Sequence, residues 1–437
     1  MQLKSGFKFL SYLKDGSVTP YVRDEGTTSK WVYFGADNLF PDAMLTLADN
    51  CVPLGRCVQM AAMYIAGKGV KFKDQEGNEL EAAQAKFQEL LKDTTEEEFL
   101  YATAFDIATM NALSWNVRRA AGGAIARLDH IDVSRVRSGR KNMGKVENYY
   151  FSSDWSRVGT RGGAEERYRP IELPAFVAGK ATAPTELLYV KQYKPGRDYY
   201  GEPWYLPCVP DAEVWAKVPV FNRTQIDTGF KPGVHIHLPI DADPKDIAQQ
   251  VDDLRDSYMG ASAEGAFITF GRTPEEVVKV EPMPRGDHAG ELDAIRDNAE
   301  KVIVRGYGIP DLLYRMDTSG GLTSQGSALK AALEQFQTTF VEPKQQMITS
   351  QLVRIMNELG IEVWECEIEE LEPFEDDQQS DVIKMAVMTT DELRDEMDLP
   401  PLEDERGIAI PGTKAPTTPA TPPAQPPVEP TPTPEEE

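Results

Sequence analysis

Histidine and cysteine are scarce here, with four of each in 437 residues. Cys51, Cys57, Cys208 and Cys366 are dispersed without a C-x-x-C pair. That excludes a disulfide framework and a thiolate zinc cluster, and leaves reduced core cysteines as the expectation. Four histidines also leave little material for acid/base catalysis. His235 and His237 in VHIHLP would share one face of a strand. With no carboxylate or cysteine at metal spacing, their expected role is structural, and neither a metal nor a cofactor is expected. There is no G-x-S-x-G elbow and no H-E-x-x-H. The acidic pairs Asp252–Asp253 and Asp376–Asp377 are adjacent, and on a helix adjacent side chains diverge by about 100°, so they make poor joint ligands. No run of 18 apolar residues and no charged-then-apolar start occurs, so neither a membrane span nor a secretory signal is expected. The NRT sequon at 222–224 would then not meet the glycosylation machinery. Positive charge is short as well: 46 basic residues face 71 acidic ones, for a net charge of −25. Such a balance argues against wrapping nucleic acid in positive charge, although a passing contact is allowed.

Apolar residues make up 41% of the chain, ample for two or three domains or one elongated multi-part subunit. Residues 415–437 contain nine prolines, so the folded part should end near 411 and an extended tail, 412–437, should follow. From about 31 to 130, helical stretches alternate with glycine-marked turns. Asn50 to Ile65 reads as a helix with Leu54, Val58, Ala61 and Ile65 on one face, and GKGVKF as a turn into a strand. From 129 to 200, short apolar runs between glycines predict β structure.

Asp243 is an N-cap followed by Pro244, and Ile247, Val251, Leu254 and Tyr258 recur at helical spacing up to Gly260. A second helix of similar length is predicted from Ala289 to Arg305, with Leu292, Ile295, Val302 and Ile303 on one stripe, ended by GYGIP. Between them, AFITF and VVKV, separated by TPEE, read as two short strands. Two matched helices carrying a small β module form a stalk with a head. One narrow apolar seam per helix makes this unit weak alone, so packing beside copies of itself is expected.

In GYGIPDLLYRMDTSGGLTSQGSALK, Gly321 and Gly326 have the spacing of a phosphate-binding loop. Ser327 stands where the lysine belongs and Ala328 where magnesium needs Ser or Thr, so nucleotide hydrolysis is not supported. A helical pattern follows: Leu329, Leu333, Phe336 and Phe340, then Ile348, Leu352, Ile355 and Leu359. Pro343 between the two runs predicts a kink. Ile361, Val363, Cys366 and Ile368 suggest an edge strand with a glutamate-rich face, and Thr390 opens a last capped helix.

Four stretches, in order, resemble the portal proteins of tailed bacteriophages. WVYFGADNLFPDAMLTLADNCVPLGRCVQMAAMYIAGKGV (31–70) is similar to the family's N-terminal segment. DYYGEPWYLPCVPDAEVWAKVPVFNRTQIDTGFKPGVHIHLP (198–239) resembles its YYG-x-P segment, the following helix and a strand entry, although Pro207, Pro210 and Pro219 predict an irregular helix. GLTSQGSALKAALEQFQTTFVEPKQQMITSQLVRIMNEL (321–359) is similar to its helix with a mid-helix proline. MTTDELRDEMDLPPLED resembles its C-terminal element.

The resemblance implies an α+β portal fold: a wing over 1–242, stem helices at 243–260 and 288–310, a clip at 261–287 and a tunnel loop at 311–327. A long helix over 328–360, kinked near Pro343, and a wing edge and crown over 361–411 complete it. It implies a non-enzymatic ring of twelve copies, without membrane or cofactor. The ring sits at one virion vertex, after assembly in the host cytoplasm. The implied partners are double-stranded DNA contacted independently of sequence, the terminase large subunit, the major capsid protein, scaffold and a head-tail adaptor. The DNA-facing residues would be Arg315, Asp317, Thr318, Ser319, Gly320, Gly321, Thr323, Ser324, Gln325 and Lys330. The stem would add Lys301 and Arg305, and the clip Phe267, Ile268, Arg272, Glu275 and Glu276. For the four cations, phosphate contact and pairing with neighbouring carboxylates are both open. An ATPase or nuclease of the packaging machine, or a ring-forming adaptor, is the alternative reading.

Overall fold

The computed structural model describes residues 30–158, 168–227, 234–239, 266–271, 279–282, 289–315 and 322–371. The chain divides into two units, Met1–Glu370 and Leu371–Glu437. The helix expected at 243–260, the helix at Thr390 and the Pro-rich tail lie outside the described residues.

Two helices open the described chain: α1, Phe40–Asn50, and α2, Val52–Ala66, each with a proline in its first turn. The extended Cys51 separates them, so the helix read from Asn50 onward begins at Val52. Leu54, Val58, Ala61 and Ile65 are all buried, as their spacing on one face requires. β1 (Val70–Lys73) and α3 (Glu81–Leu91) follow. α4 (Glu96–Met110) starts at a capping box, in which Glu98 N donates to Thr95 Oγ1 at 3.2 Å and Thr95 N donates to Glu98 Oε2 at 3.1 Å.

After β1, where GKGVKF predicts a strand, the main β region begins earlier than the expected 129. β2 (Ala112–Arg119) starts immediately after Asn111, which ends α4 in the left-handed conformation. It is the centre of an antiparallel sheet between β3 (Ile125–His130) and β9 (Thr185–Lys191). β2 is buried on nearly every residue of both faces, so no polar/apolar alternation marks it. β4 (Val136–Ser138), β7 (Asn148–Phe151) and β8 (Ile171–Pro174) form a second sheet, and β5 (Lys141–Asn142) with β6 (Lys145–Val146) a separate hairpin.

α5 runs unbroken from Val209 to Asp227 with Pro219 inside it. This overturns the expectation of an irregular helix. Pro210 falls in the first turn, where its missing N–H costs nothing, and the burial of Ala212, Trp215 and Val218 offsets the one bond lost at Pro219. β10 (Val234–Pro239), β11 (Ala266–Gly271) and β12 (Lys279–Pro282) form a three-stranded sheet, with β10 in the middle, parallel to β11 and antiparallel to β12. The sequence reading assigned β10 to the N-terminal wing and left only two strands in the head module. Periodicity identifies a strand but carries no information about its pairing partner.

α6 spans Ala289–Tyr307 and α7 Asp311–Arg315. The buried face of α6 is Ala299, Ile303, Val304 and Tyr307, whereas Ile295 and Val302, expected inside, are exposed. α8 (Leu322–Phe336) passes through a π turn, Gln337–Val341, into α9 (Glu342–Glu358). The deviation expected at Pro343 is met by that wider turn, in which Glu342 N donates to Gln337 O, five residues back. β13 (Glu365–Ile368) pairs antiparallel with β1. Cys366 and Ile368 point inward while Glu365 and Glu367 are exposed, the pattern expected of an edge strand. The lysines of β1 partly neutralise its acidic face: Lys73 pairs with Glu367, and Lys71 lies 3.1 Å from Glu79 and 3.5 Å from Glu369.

Candidate functional site

The first two family-like stretches meet in space. In FGADN, Asn38 Oδ1 accepts from Phe34 N at 2.9 Å and from Arg137 Nε at 2.6 Å, and Asn38 O accepts from Arg137 Nη2 at 2.7 Å. Arg137 Nη1 donates to the carbonyls of Ser134 and Val136 at 2.7 and 2.9 Å, and its guanidinium lies 4.8 Å from the Trp155 ring centroid. Burial lowers the Arg137 pKa to about 10, which leaves it charged at neutral pH. In the YYG-x-P stretch, Tyr200 stacks on Phe34 with centroids 4.1 Å apart. Its hydroxyl donates to Val32 O and accepts from Ser138 N at 2.9 Å. Glu202 is buried and held by Lys194 and Arg197, whose hydrogen bonds to its carboxylate keep its pKa below the usual value despite desolvation. Both motifs therefore serve to lock the N-terminal region.

The residues after that motif anchor the helices that carry the candidate DNA contacts. Trp204 Nε1 donates to Tyr307 O at 2.9 Å, and its ring meets those of Tyr307 and Phe340 edge-on at 5.3 Å. Tyr205 stacks on Tyr307 at 5.3 Å. Their hydroxyls donate to Thr109 O (3.1 Å) and Ala108 O (2.8 Å) at the end of α4. Phe336 stacks on Phe340 at 4.9 Å and meets Tyr64 of α2 edge-on at 5.5 Å. Lys344 Nζ caps this cluster, 4.2 Å from the Trp204 and 4.6 Å from the Phe340 ring centroid. Burial lowers its pKa to about 8. At Gly306 a Cβ would overlap the Cys208 sulfur, so only glycine lets α6 approach the turn before α5 this closely. The sequence reading did not single out this hub. Its available signals were the Trp-Tyr pair after YYG-x-P and the i, i+4 spacing of Phe336 and Phe340.

At the far end of the long helix, Arg119 Nε meets Glu186 at 2.9 Å and Nη1 meets Glu358 at 2.6 Å, tying β2, β9 and α9 together. Gln345 Nε2 donates to the carbonyls of Tyr64 and Ile65 at 3.3 Å, fixing α9 to α2. All four cysteines are free and buried, as expected, and burial pushes Cys51 to about 11 and Cys57 to about 12. Among the described residues no His/Cys/Asp/Glu group suits a metal ion, and no helix is long and apolar enough to cross a membrane.

The sequence-predicted DNA contacts are distributed unevenly. Lys301, Arg305 and Arg315 are exposed on α6 and α7. Arg305 pairs with Asp311 at 3.1 Å, so for this cation the carboxylate reading is the observed one. Thr323, Ser324 and Gln325 lie in α8 and Lys330 further along it, so the tunnel loop read over 311–327 is helical at both ends. Gly326 was read there as a loop residue. Inside a helix it costs about 1 kcal/mol relative to alanine. Phe267 and Ile268 lie in β11. Asp317, Thr318, Ser319, Gly320, Gly321, Arg272, Glu275 and Glu276 lie outside the described residues.

Neither a protein-family model nor a curated protein matches this chain. Solved structures do. A chain from the neck of an empty GTA particle, computed with C6 symmetry, aligns with 83% of this chain and 95% of its own length, at 16% identity and a TM-score of 0.50. A chain from the virion of a native gene transfer agent (GTA) particle aligns over the same shares at 15% identity and 0.49. An HK97 family phage portal protein from Corynebacterium diphtheriae aligns with 70% of this chain and 89% of that one, at 14% identity and 0.41. Over most of its length, this chain thus has the mixed helix-and-strand fold of a component of the GTA particle neck.

Proposed function

We propose that this chain is a portal subunit, a non-enzymatic component of a ring through which double-stranded DNA enters and leaves a capsid. The observation that carries the reading is the fold shared, nearly end to end, with a component of a particle neck. The four ordered stretches resembling portal proteins support it independently of that alignment. A neck treated with six-fold symmetry is compatible with a closed ring of twelve, since a twelve-fold axis contains the six-fold one.

In this reading α6 belongs to the stem and β10, β11 and β12 to the clip. The segment from Arg315 to Lys330 faces the duplex, with Asp317 to Gly321 and Thr323 to Gln325 offering small, sequence-indifferent contacts. Lys301 adds weak phosphate attraction, while Arg305 is largely engaged by Asp311. A net charge of −25 fits a conduit, because each neutralised phosphate adds affinity through counterion release and would retard a moving duplex. Terminase, capsid protein, scaffold and adaptor are the partners this role requires.

Light scattering with negative-stain imaging of the purified chain tests the proposal. Twelve chains of 48.6 kDa give a particle of about 580 kDa, with a central hole in end views. A stable monomer at every concentration, with or without capsid and scaffold proteins, would refute it.

A further inference from the structure

The β5–β6 hairpin projects beyond the β4–β7 pair, and its tip is unusual. Lys141 pairs with Val146 and Asn142 with Lys145, leaving Met143 and Gly144 as a two-residue turn with φ of 47° and 82°. Two positive φ values define the type I′ turn, whose first position ordinarily takes Asn, Asp or Gly. A long apolar side chain there is conformationally unfavourable, and Met143 recovers nothing by burial, being 99% exposed. The base of the finger is held firmly. Lys141 Nζ lies 2.9 Å from Asp198 and 5.4 Å from the Tyr199 ring centroid, and Asn142 Nδ2 donates to Glu147 at 3.1 Å. Of the three cations in residues 140–147, Lys141 is paired with Asp198 and Arg140 is also engaged within the chain, which leaves the exposed Lys145 beside the tip, in a chain of net charge −25.

A complementary feature exists on the same chain. Trp364, just before β13, is 69% exposed, and its neighbours Glu362 and Glu365 are exposed as well. Glu365 stands opposite Lys73, whose ammonium pairs with Glu367, so this one cation is shared between two carboxylates and the patch stays acidic. Among the described residues nothing covers the methionine tip or most of the tryptophan.

We propose that the Met143 finger of one copy seats on the Trp364 knob of a second copy. This rests on the portal reading, for which it names a contact between neighbouring subunits. A thioether on an indole ring is favourable, and Lys145 beside Met143 faces the carboxylates around Trp364. Finger and knob are different surfaces, so the contact is head-to-tail and generates a ring when its rotation closes. Three cations on one short hairpin are too few to track a duplex, which favours a protein partner over nucleic acid.

The test is the concentration dependence of assembly of the full chain, by light scattering, together with thermal melting of the unassembled protomer. Met143→Asn relieves the turn, so the protomer should melt higher while half-assembly requires about tenfold more protein. Trp364→Ala should weaken assembly similarly, and the double variant little further, because both remove one contact. Lys145→Glu should impair assembly, and Glu365→Lys in the same chain should restore it. Met143→Asn assembling at the wild-type concentration would overturn the proposal and leave the portal reading intact. A wild-type chain that never assembles would remove both.

Discussion

Arg137, in the N-terminal sheets, and Lys344, in the long helix, are both buried cations, yet the fold treats them differently. Arg137 gives four hydrogen bonds to Asn38, Ser134 and Val136 and keeps its charge. Lys344 has only the faces of Trp204 and Phe340, with no carboxylate partner among the described residues, and burial brings it to about 8. Gln337, in the adjacent π turn, is also buried, with neither amide atom bonded to a protein group. The cluster around Arg137 is thus a polar lock in which the buried cation meets its acceptors, whereas the hub around the long helix retains polar groups that it does not satisfy. Buried polar groups without partners cost stability and are retained where a sequence is selected for something else.

Replacing the buried cation should move stability in opposite directions at the two places. Arg137→Met leaves Asn38 and two carbonyls without their donor and should cost about 3–5 kcal/mol by urea denaturation. Gly306→Ala drives a methyl into the Cys208 sulfur and should cost about 2–3 kcal/mol; adding Cys208→Ala should recover part of that loss, because the clash is with the sulfur. Lys344→Met should instead stabilise, by about 1–2 kcal/mol at neutral pH. The pH dependence sharpens this. Between about pH 8 and the ordinary lysine value, the unfolded chain still holds a proton that folded Lys344 has released, so wild-type stability should climb with pH through that window. The climb should be absent from Lys344→Met. Gln337→Leu should stabilise least, by about 1 kcal/mol, since it removes a buried amide with no protein partner. If Lys344→Met and Gln337→Leu both destabilise, the contrast between lock and hub fails.

How much was legible in the sequence follows the same division. The α2 stripe of Leu54, Val58, Ala61 and Ile65 and the β13 alternation of Cys366 and Ile368 could be read because each element has one buried face and one wet one. β2 could not, because both its faces are buried, and α5 was misjudged because packing around Trp215 and Val218 outweighs the local cost of Pro219. The face of α6 was misjudged because Ile295 and Val302 fit a helical stripe of which the core buries Ile303 but not these two. The FGADN and YYG-x-P stretches were visible as motifs, but their work is done jointly, through Tyr200 on Phe34 and Asn38 on Arg137, pairings that no single window of sequence contains. Of the candidate DNA contacts, the sequence supplied residue types, while the helical setting of Thr323, Ser324 and Gln325 emerged only in three dimensions.

The pairing of β1 with β13 joins Lys73 to Glu367 across 294 positions of chain. At a synthesis rate of about 5–20 residues per second, β1 leaves the ribosome roughly 15–60 s before its partner exists. During that interval Val70 and Phe72, both buried in the finished fold, have a strand edge with no mate. The N-terminal region therefore matures in two stages during translation, with its final strand pair formed only after the long helix has been made.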